Sequence, residues 1–161
     1  MSDVIFYTKL PDLDSFIKEL DLLDDDVNSS VRNAMHEGAD IILAEQKRLA
    51  DGTGVPFLSE HIREGQIYTN RKGKLSITSG YMSEAFETDA EGKKPGIIGL
   101  TYEFGRPGKS PARSGKKDSL GRTKGAIQPR PHVRSGFDNK VGEAVKTVIE
   151  SVEDTIGRKM K

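Results

Sequence analysis

Residues 101–140 read TYEFGRPGKSPARSGKKDSLGRTKGAIQPRPHVRSGFDNK. Ile98, Leu100, Tyr102 and Phe104 alternate up to Gly105, and this period of two predicts a strand with Thr101 and Glu103 on the opposite face. A polar, basic tract follows, in which Leu120 and Ile127 are the only large apolar residues before Pro129. Beyond it, Val133, Phe137, Val141, Val145, Val148, Val152 and Ile156 recur every three or four positions. That spacing predicts a helix over 132–157, closed by Gly157 with Arg158, Lys159 and Lys161. Between strand and helix, 106–130 is predicted to be a long loop. Loops of this length in compact domains are uncommon and tend to be functional or disordered. With five glycines between 105 and 125, this one cannot bury enough surface to offset the entropy of ordering itself, so mobility is expected in the isolated chain.

Working outward, the region 64–105 is expected to hold the strands. Ile67 and Thr69, then Leu75 and Ile77, alternate around Arg71–Lys74, the pattern of a hairpin closed by a glycine-containing turn. Tyr81–Thr88 reads as a further strand, and 89–96 is rich in turn residues. Upstream, 12–50 predicts two helices. Leu13, Phe16, Ile17 and Leu20 fall at i, i+3, i+4 and i+7 after Pro11. A longer helix over about 26–50 carries Val27, Val31, Ala34, Met35, Gly38, Ile42 and Leu49 as its stripe. Asp24, Asp25 and Asp26 supply N-cap candidates and favourable charge at its start. Gly38 weakens that helix by about 1 kcal/mol relative to Ala, which suggests close packing against a neighbouring backbone. Residues 4–10 form a candidate N-terminal strand. The expectation is a single α+β domain: a mostly antiparallel sheet of three to five strands, packed against the long helix and a C-terminal helix that covers its open face, with the long basic loop extending from it.

Charge sharpens the reading of the loop. The chain has 25 basic and 25 acidic residues among 161, so no overall bias marks it as a general nucleic-acid or membrane binder. Its distribution is uneven. Residues 1–26 carry eight acids against two lysines, whereas 105–130 carry eight Lys or Arg against Asp118 alone. The chain has no cysteine, which removes disulfides, thiolate catalysis and thiolate metal ligands. No apolar run approaches the ~18 residues of a membrane span, and the first residues lack the basic-then-apolar order of a signal peptide. A soluble protein kept in the cytoplasm is expected.

Catalytic patterns are weak. His36, His61 and His132 with Glu103 are possible metal ligands by type, but no pair has the spacing that sets two imidazoles on one helical face. His36 reads as an ordinary packed or half-exposed histidine, and His132 as a substitute for an aromatic anchor. No serine sits in a G-x-S-x-G elbow. Gly108-Lys109-Ser110 has the end of a phosphate-binding loop, but Glu103 stands where its first glycine belongs. No enzyme activity, metal, cofactor or small-molecule substrate is expected.

The succession KLPDLDSFIKEL, VNSSVRNAMHEGADIILAEQKRLA, FLSEHI, TYEFG and PRPHVRSGFDNKVGEAVKTVIESV resembles the neck and tail-completion (minor tail component) proteins of tailed bacteriophages. The likeness runs over nearly the whole chain. Its most specific carriers are Tyr102, Glu103, Phe104 and Gly105, similar to an aromatic-acidic-aromatic-glycine strand end, and the stretch from Pro129 through Pro131 to Phe137, similar to a proline-plus-aromatic entry into the last helix. His132 stands where the family often has Phe, and Ser135-Gly136 replaces a Pro-Ala pair.

The resemblance implies a structural virion protein of a phage or prophage at the head-tail junction. It would self-associate into a ring, a hexamer being the candidate stoichiometry, and join adjacent connector or tail proteins. It would be found in the host cytoplasm during assembly and then in the virion neck or tail end. Neck and tail-terminator roles both remain open. Arg106, Lys109, Arg113, Lys116, Lys117, Arg122 and Lys124 are then expected to contact an acidic neighbouring subunit or the packaged DNA. A charge run is otherwise simply a solvated face. The alternative is a nucleic-acid-binding module that uses loop 106–130 to track phosphates.

Overall fold

A computed structural model describes residues 6–9, 25–69, 75–107 and 126–159. The chain is α+β, with three α-helices and two small antiparallel sheets among these residues. Strand β1 (Phe6–Lys9) and helix α1 (Asp25–Asp51) come first. Four short strands follow: β2 (Ile62–Glu64), β3 (Tyr68–Thr69), β4 (Leu75–Ser76) and β5 (Thr78–Tyr81). Helices α2 (Pro95–Phe104) and α3 (Val133–Lys159) complete the order. One sheet has the order β1-β5-β2, and β3 pairs only with β4. The hairpin expected around Arg71–Lys74 is present as the β3–β4 pair, with Tyr68 opposite Ser76 and Thr69 opposite Leu75. Its turn, and the short helix expected after Pro11, lie outside the described residues.

Helix α1 matches its expected span, and its stripe explains why. Val31, Ala34, Met35, Ala39, Ile42, Gln46 and Ala50 are buried, following the i, i+3, i+4 pattern of one helix face. The helix ends where Thr53 Oγ1 donates to Ala50 O at 2.6 Å and Gly54 turns at φ 80°. Helix α3 runs antiparallel along it. A Cβ on Gly38 would lie 2.6 Å from Val148 Cγ2 and 3.1 Å from Ala144 O, while one on Gly136 would lie 2.6 Å from Gln46 Cγ. Glycine at both ends of the contact therefore allows the two backbones their close approach. This corrects the expectation that the C-terminal helix covers the sheet: α3 packs chiefly on α1 and touches β1 beside it.

Two apolar clusters lie along this pair. The first joins Val31, Met35 and Ala39 to Ile77, Val148 and Val152. The second gathers Ala50, Leu58, Ile62, Tyr81, Ala85 and Val133, with Phe57, Ile98 and Tyr102 packed on its edge. Full burial of a side chain such as Leu58 or Ile62 contributes about 1.5–3 kcal/mol.

The segment expected to be the best strand is helix α2, and Tyr81–Thr88 is mostly not a strand either. There β5 ends at Tyr81, and a 3-10 turn covers Ser83–Phe86. For α2, local signals outweigh the alternation. Asp89 Oδ1 accepts from the backbone N–H of Glu91 at 3.0 Å and of Lys93 at 2.6 Å, a turn that delivers Pro95 to the first helical position. Gly96 and Gly99 then let the helix lie against Ala85, Phe86 and the Tyr81 ring, contacts that a Cβ at either position would obstruct. Gly105, at φ 74°, ends it. The expected face assignment holds only in part: Ile98 and Tyr102 pack on the second cluster, but Glu103 is buried and Phe104 is 52% exposed.

Candidate functional site

The two edges of the basic tract meet in one place. Arg106 and Ile127 exchange backbone hydrogen bonds, each 2.8 Å, in an isolated antiparallel bridge. Just outside it, Arg130 N–H donates to Tyr102 O at 2.6 Å, satisfying a carbonyl at the end of α2. The Arg130 guanidinium donates to Thr53 O at 2.8 Å, tying the same point to the end of α1. Gly105 is required here on two counts. Its φ is positive, and a Cβ would fall 2.8 Å from both Ile127 O and Pro129 Cδ.

Glu103 sits beneath this closure. Its Oε2 accepts from His132 N at 2.7 Å and Val133 N at 3.0 Å, and its Oε1 from Arg134 N at 3.1 Å. A carboxylate from the last turn of α2 thus caps the first turn of α3, taking up donors that the helix cannot pair itself and facing the positive end of its dipole. The His132 ring extends the network. Its Nδ1 lies 3.0 Å from Arg130 O, which can only accept, so in the neutral ring Nδ1–H donates there and Nε2 accepts from the Tyr81 hydroxyl at 2.7 Å. The two rings also meet edge to face at 5.7 Å. Burial, and secondarily the charge of Glu103, push the Tyr81 phenol well above its ordinary range, which keeps it a proton donor.

Tyr81, His132 and Glu103 have the residue types of a proton relay. They are 0–1% exposed, however, and every polar atom that carries the run is spent inside the fold. The arrangement is a clasp that fixes both ends of the basic tract.

The expected contact residues divide. Arg106 lies at the closure, while Lys109, Arg113, Lys116, Lys117, Arg122 and Lys124 lie outside the described residues. Of the residues that carry the resemblance, Tyr102, Glu103, Gly105 and Pro131 converge at the clasp; Pro131 is exposed, and Phe137 is half-buried on the following turn of α3. Phe104 faces outward, with the Arg134 guanidinium 5.7 Å over its ring. The role of His132 went beyond that of an aromatic anchor. The signal available in the sequence was a Glu four residues before the first proline of the tract, together with a His directly before the helix start.

A second concave region is an open cleft of about 690 Å³ beside β2, lined by Arg63, Glu64, Tyr68, Met82 and Glu84 among others. At its edge Glu64 Oε1 meets His36 Nδ1 at 2.8 Å, so His36 is half-exposed and paired. No group of three potential metal ligands occurs among the described residues. No helix among them is long and apolar enough to cross a membrane. Comparison with protein-family models, curated proteins and solved structures finds no match.

Proposed function

We propose that the chain is a structural virion subunit of a tailed phage or prophage, acting as a ring in the neck or tail-completion assembly that joins head and tail. The observation that carries the reading is the clasp. Tyr102-Glu103-Phe104-Gly105 and the Pro129–Val133 stretch bear the resemblance to that family, lie nearly thirty residues apart, and meet through Glu103, Arg130 and His132. Such a base presents a long cationic tract from a fixed point, which suits an arm that engages a neighbouring subunit or the DNA in a channel. The polar groups of the clasp are hydrogen-bonded within the fold, in keeping with a structural role.

Light scattering and negative-stain imaging of the purified protein test this reading. Closed rings are expected, and deletion of residues 108–126 should abolish their incorporation into infectious particles. A monomer that binds duplex DNA, with affinity falling steeply against log salt, would favour the nucleic-acid-binding alternative instead.

A further inference from the structure

The outer face of α2 is apolar where a surface helix is ordinarily polar. Ile97, Leu100, Thr101 and Phe104 stand at i, i+3, i+4 and i+7, with Ile97 51% and Phe104 52% exposed. The Thr101 hydroxyl is turned back onto Ile97 O at 2.8 Å, so the one polar group on the stripe is already satisfied. Cations frame it: Lys94 precedes the helix, Arg106 follows it, and Arg134 lies over the Phe104 ring.

The sequence contains a complement. Leu13, Phe16, Ile17 and Leu20 repeat the same i, i+3, i+4, i+7 spacing, and Asp12, Asp14, Glu19, Asp21 and Asp24 surround them against Lys18 alone. We propose that copies of this chain join head to tail, the acidic stretch 12–23 of one copy laying its apolar face on the Ile97–Phe104 stripe of the next. The inference rests on the assembly reading above and supplies the contact by which the subunits meet.

Chain length bounds how far the stretch 12–23 reaches from the described residues. Helix α1 has 27 residues, about 40 Å from Asp25 to Asp51. Arg130 ties the end of α2 to Thr53, immediately beyond the Asp51 end. The stretch 12–23 is joined to Asp25 of α1 at one end and, through Leu10 and Pro11, to Lys9 of β1 at the other. Laid as a helix of about 18 Å at 1.5 Å per residue, it stops well short of its own stripe. The contact is therefore made between copies. A contact between two different patches is heterologous, and it closes into a ring when the rotation per subunit allows.

Two variants test this, each spoiling one side: Ile97→Glu with Phe104→Glu, and Phe16→Asp with Leu20→Asp. Each alone should give only monomer by light scattering, with circular dichroism and thermal midpoint near wild type. Mixed, they should give a dimer and nothing larger, since one intact contact remains. The chain has no cysteine, so a Leu20→Cys, Phe104→Cys double variant adds a readout independent of those charges. Oxidised at assembly concentration, it should form a ladder of linked copies on a non-reducing gel. Persistence of wild-type oligomers in both charge variants, or a cross-link confined to monomer, would overturn the proposed contact while leaving the assembly reading standing. Two monomers that fail to pair on mixing would overturn it too. Wild-type protein that stays monomeric at every concentration would overturn both.

Discussion

In the pair formed by α1 and α3, apolar side chains turn inward and charged ones outward: Met35, Ile42, Val148 and Val152 are buried, while Glu45–Arg48 and Lys140–Glu143 pair on the surface. In α2 apolar residues stand on both faces, Ile98 and Tyr102 packing on the second cluster. Its inner face buries Pro95, Gly96, Gly99 and the carboxylate of Glu103, and its outer face shows Ile97 and Phe104 to solvent. The long pair is held by area removed from water, which tolerates small changes at many places. The short helix is held by a few polar contacts and close approaches, each without a substitute, and it leaves its apolar surface for use elsewhere.

The sharpest way to break that contrast is to remove the carboxylate. Glu103→Ala strands three backbone N–H groups at the start of α3 in a buried site, and hydrogen bonds to a charged acceptor contribute about 1.5–3 kcal/mol each without adding fully. A loss of about 3–5 kcal/mol in urea denaturation is expected, with Glu103→Gln in between. If Glu103→Ala costs no more than a surface substitution, the clasp does not hold the fold. Next in size is a paired test of the close approaches. Gly99→Ala puts a methyl onto the Tyr81 ring and should cost about 1–3 kcal/mol. Gly38→Ala meets the single methyl Val148 Cγ2 at 2.6 Å, whereas Gly99→Ala overlaps three atoms of the Tyr81 side chain; both regain about 1 kcal/mol of helix propensity, so the Gly38 cost should be the smaller. Equal costs would erase the distinction between the two regions.

A smaller and pH-dependent effect is expected at Tyr81. Tyr81→Phe leaves His132 Nε2 without its donor, at about 1–2 kcal/mol near neutral pH. Because the folded-state pKa of Tyr81 is raised, the native protein keeps a proton that the unfolded chain releases near pH ~10. This contribution to stability is complete below that pH and is lost as pH rises through it. The thermal midpoint of Tyr81→Phe should therefore trail wild type at pH 8 and close the gap at about pH 11. A constant gap across that range would mean that the phenol titrates normally.

These differences also explain which parts of the fold were legible in the sequence. Helices α1 and α3 follow from periodicity alone, because their stripes at Val31–Ala50 and Val133–Val152 are buried by partners of ordinary kind. The paired strands around Tyr68 and Leu75 follow in the same way. Helix α2 does not, since periodicity assumes that apolar residues face inward. Ile98 and Tyr102 pack inward while Leu100 and Phe104 lie on the outer stripe, so a helix apolar on both sides satisfies a period of two by accident, and β-branched Ile97, Ile98 and Thr101 strengthen the false strand. Gly105 marked its end correctly, and Pro95 lay within the turn-rich 89–96, but glycine and proline also bound strands. The clasp was equally hidden: a buried carboxylate on α2 acquires meaning only when the start of α3 is brought beneath it.

The smallest effect on stability should come from the most exposed large apolar side chain among the described residues. Phe104→Ser removes a ring that is 52% exposed and is approached by Arg134, a surface cation–π contact contributing roughly 0.5–1 kcal/mol. Losing the covered half of the ring adds to that a part of what full burial contributes, so the net change in urea denaturation should be about 1 kcal/mol. A core phenylalanine truncated so far would cost about 3–5 kcal/mol. The size of this one number decides what the outer face of α2 is. A value of about 1 kcal/mol or less means that Phe104 is not retained chiefly for the stability of the isolated chain, and its apolar character then has to be explained by something that covers it. A value of several kcal/mol would mean that Phe104 is buried in the folded protein in solution, and α2 would then differ from α1 and α3 in degree only.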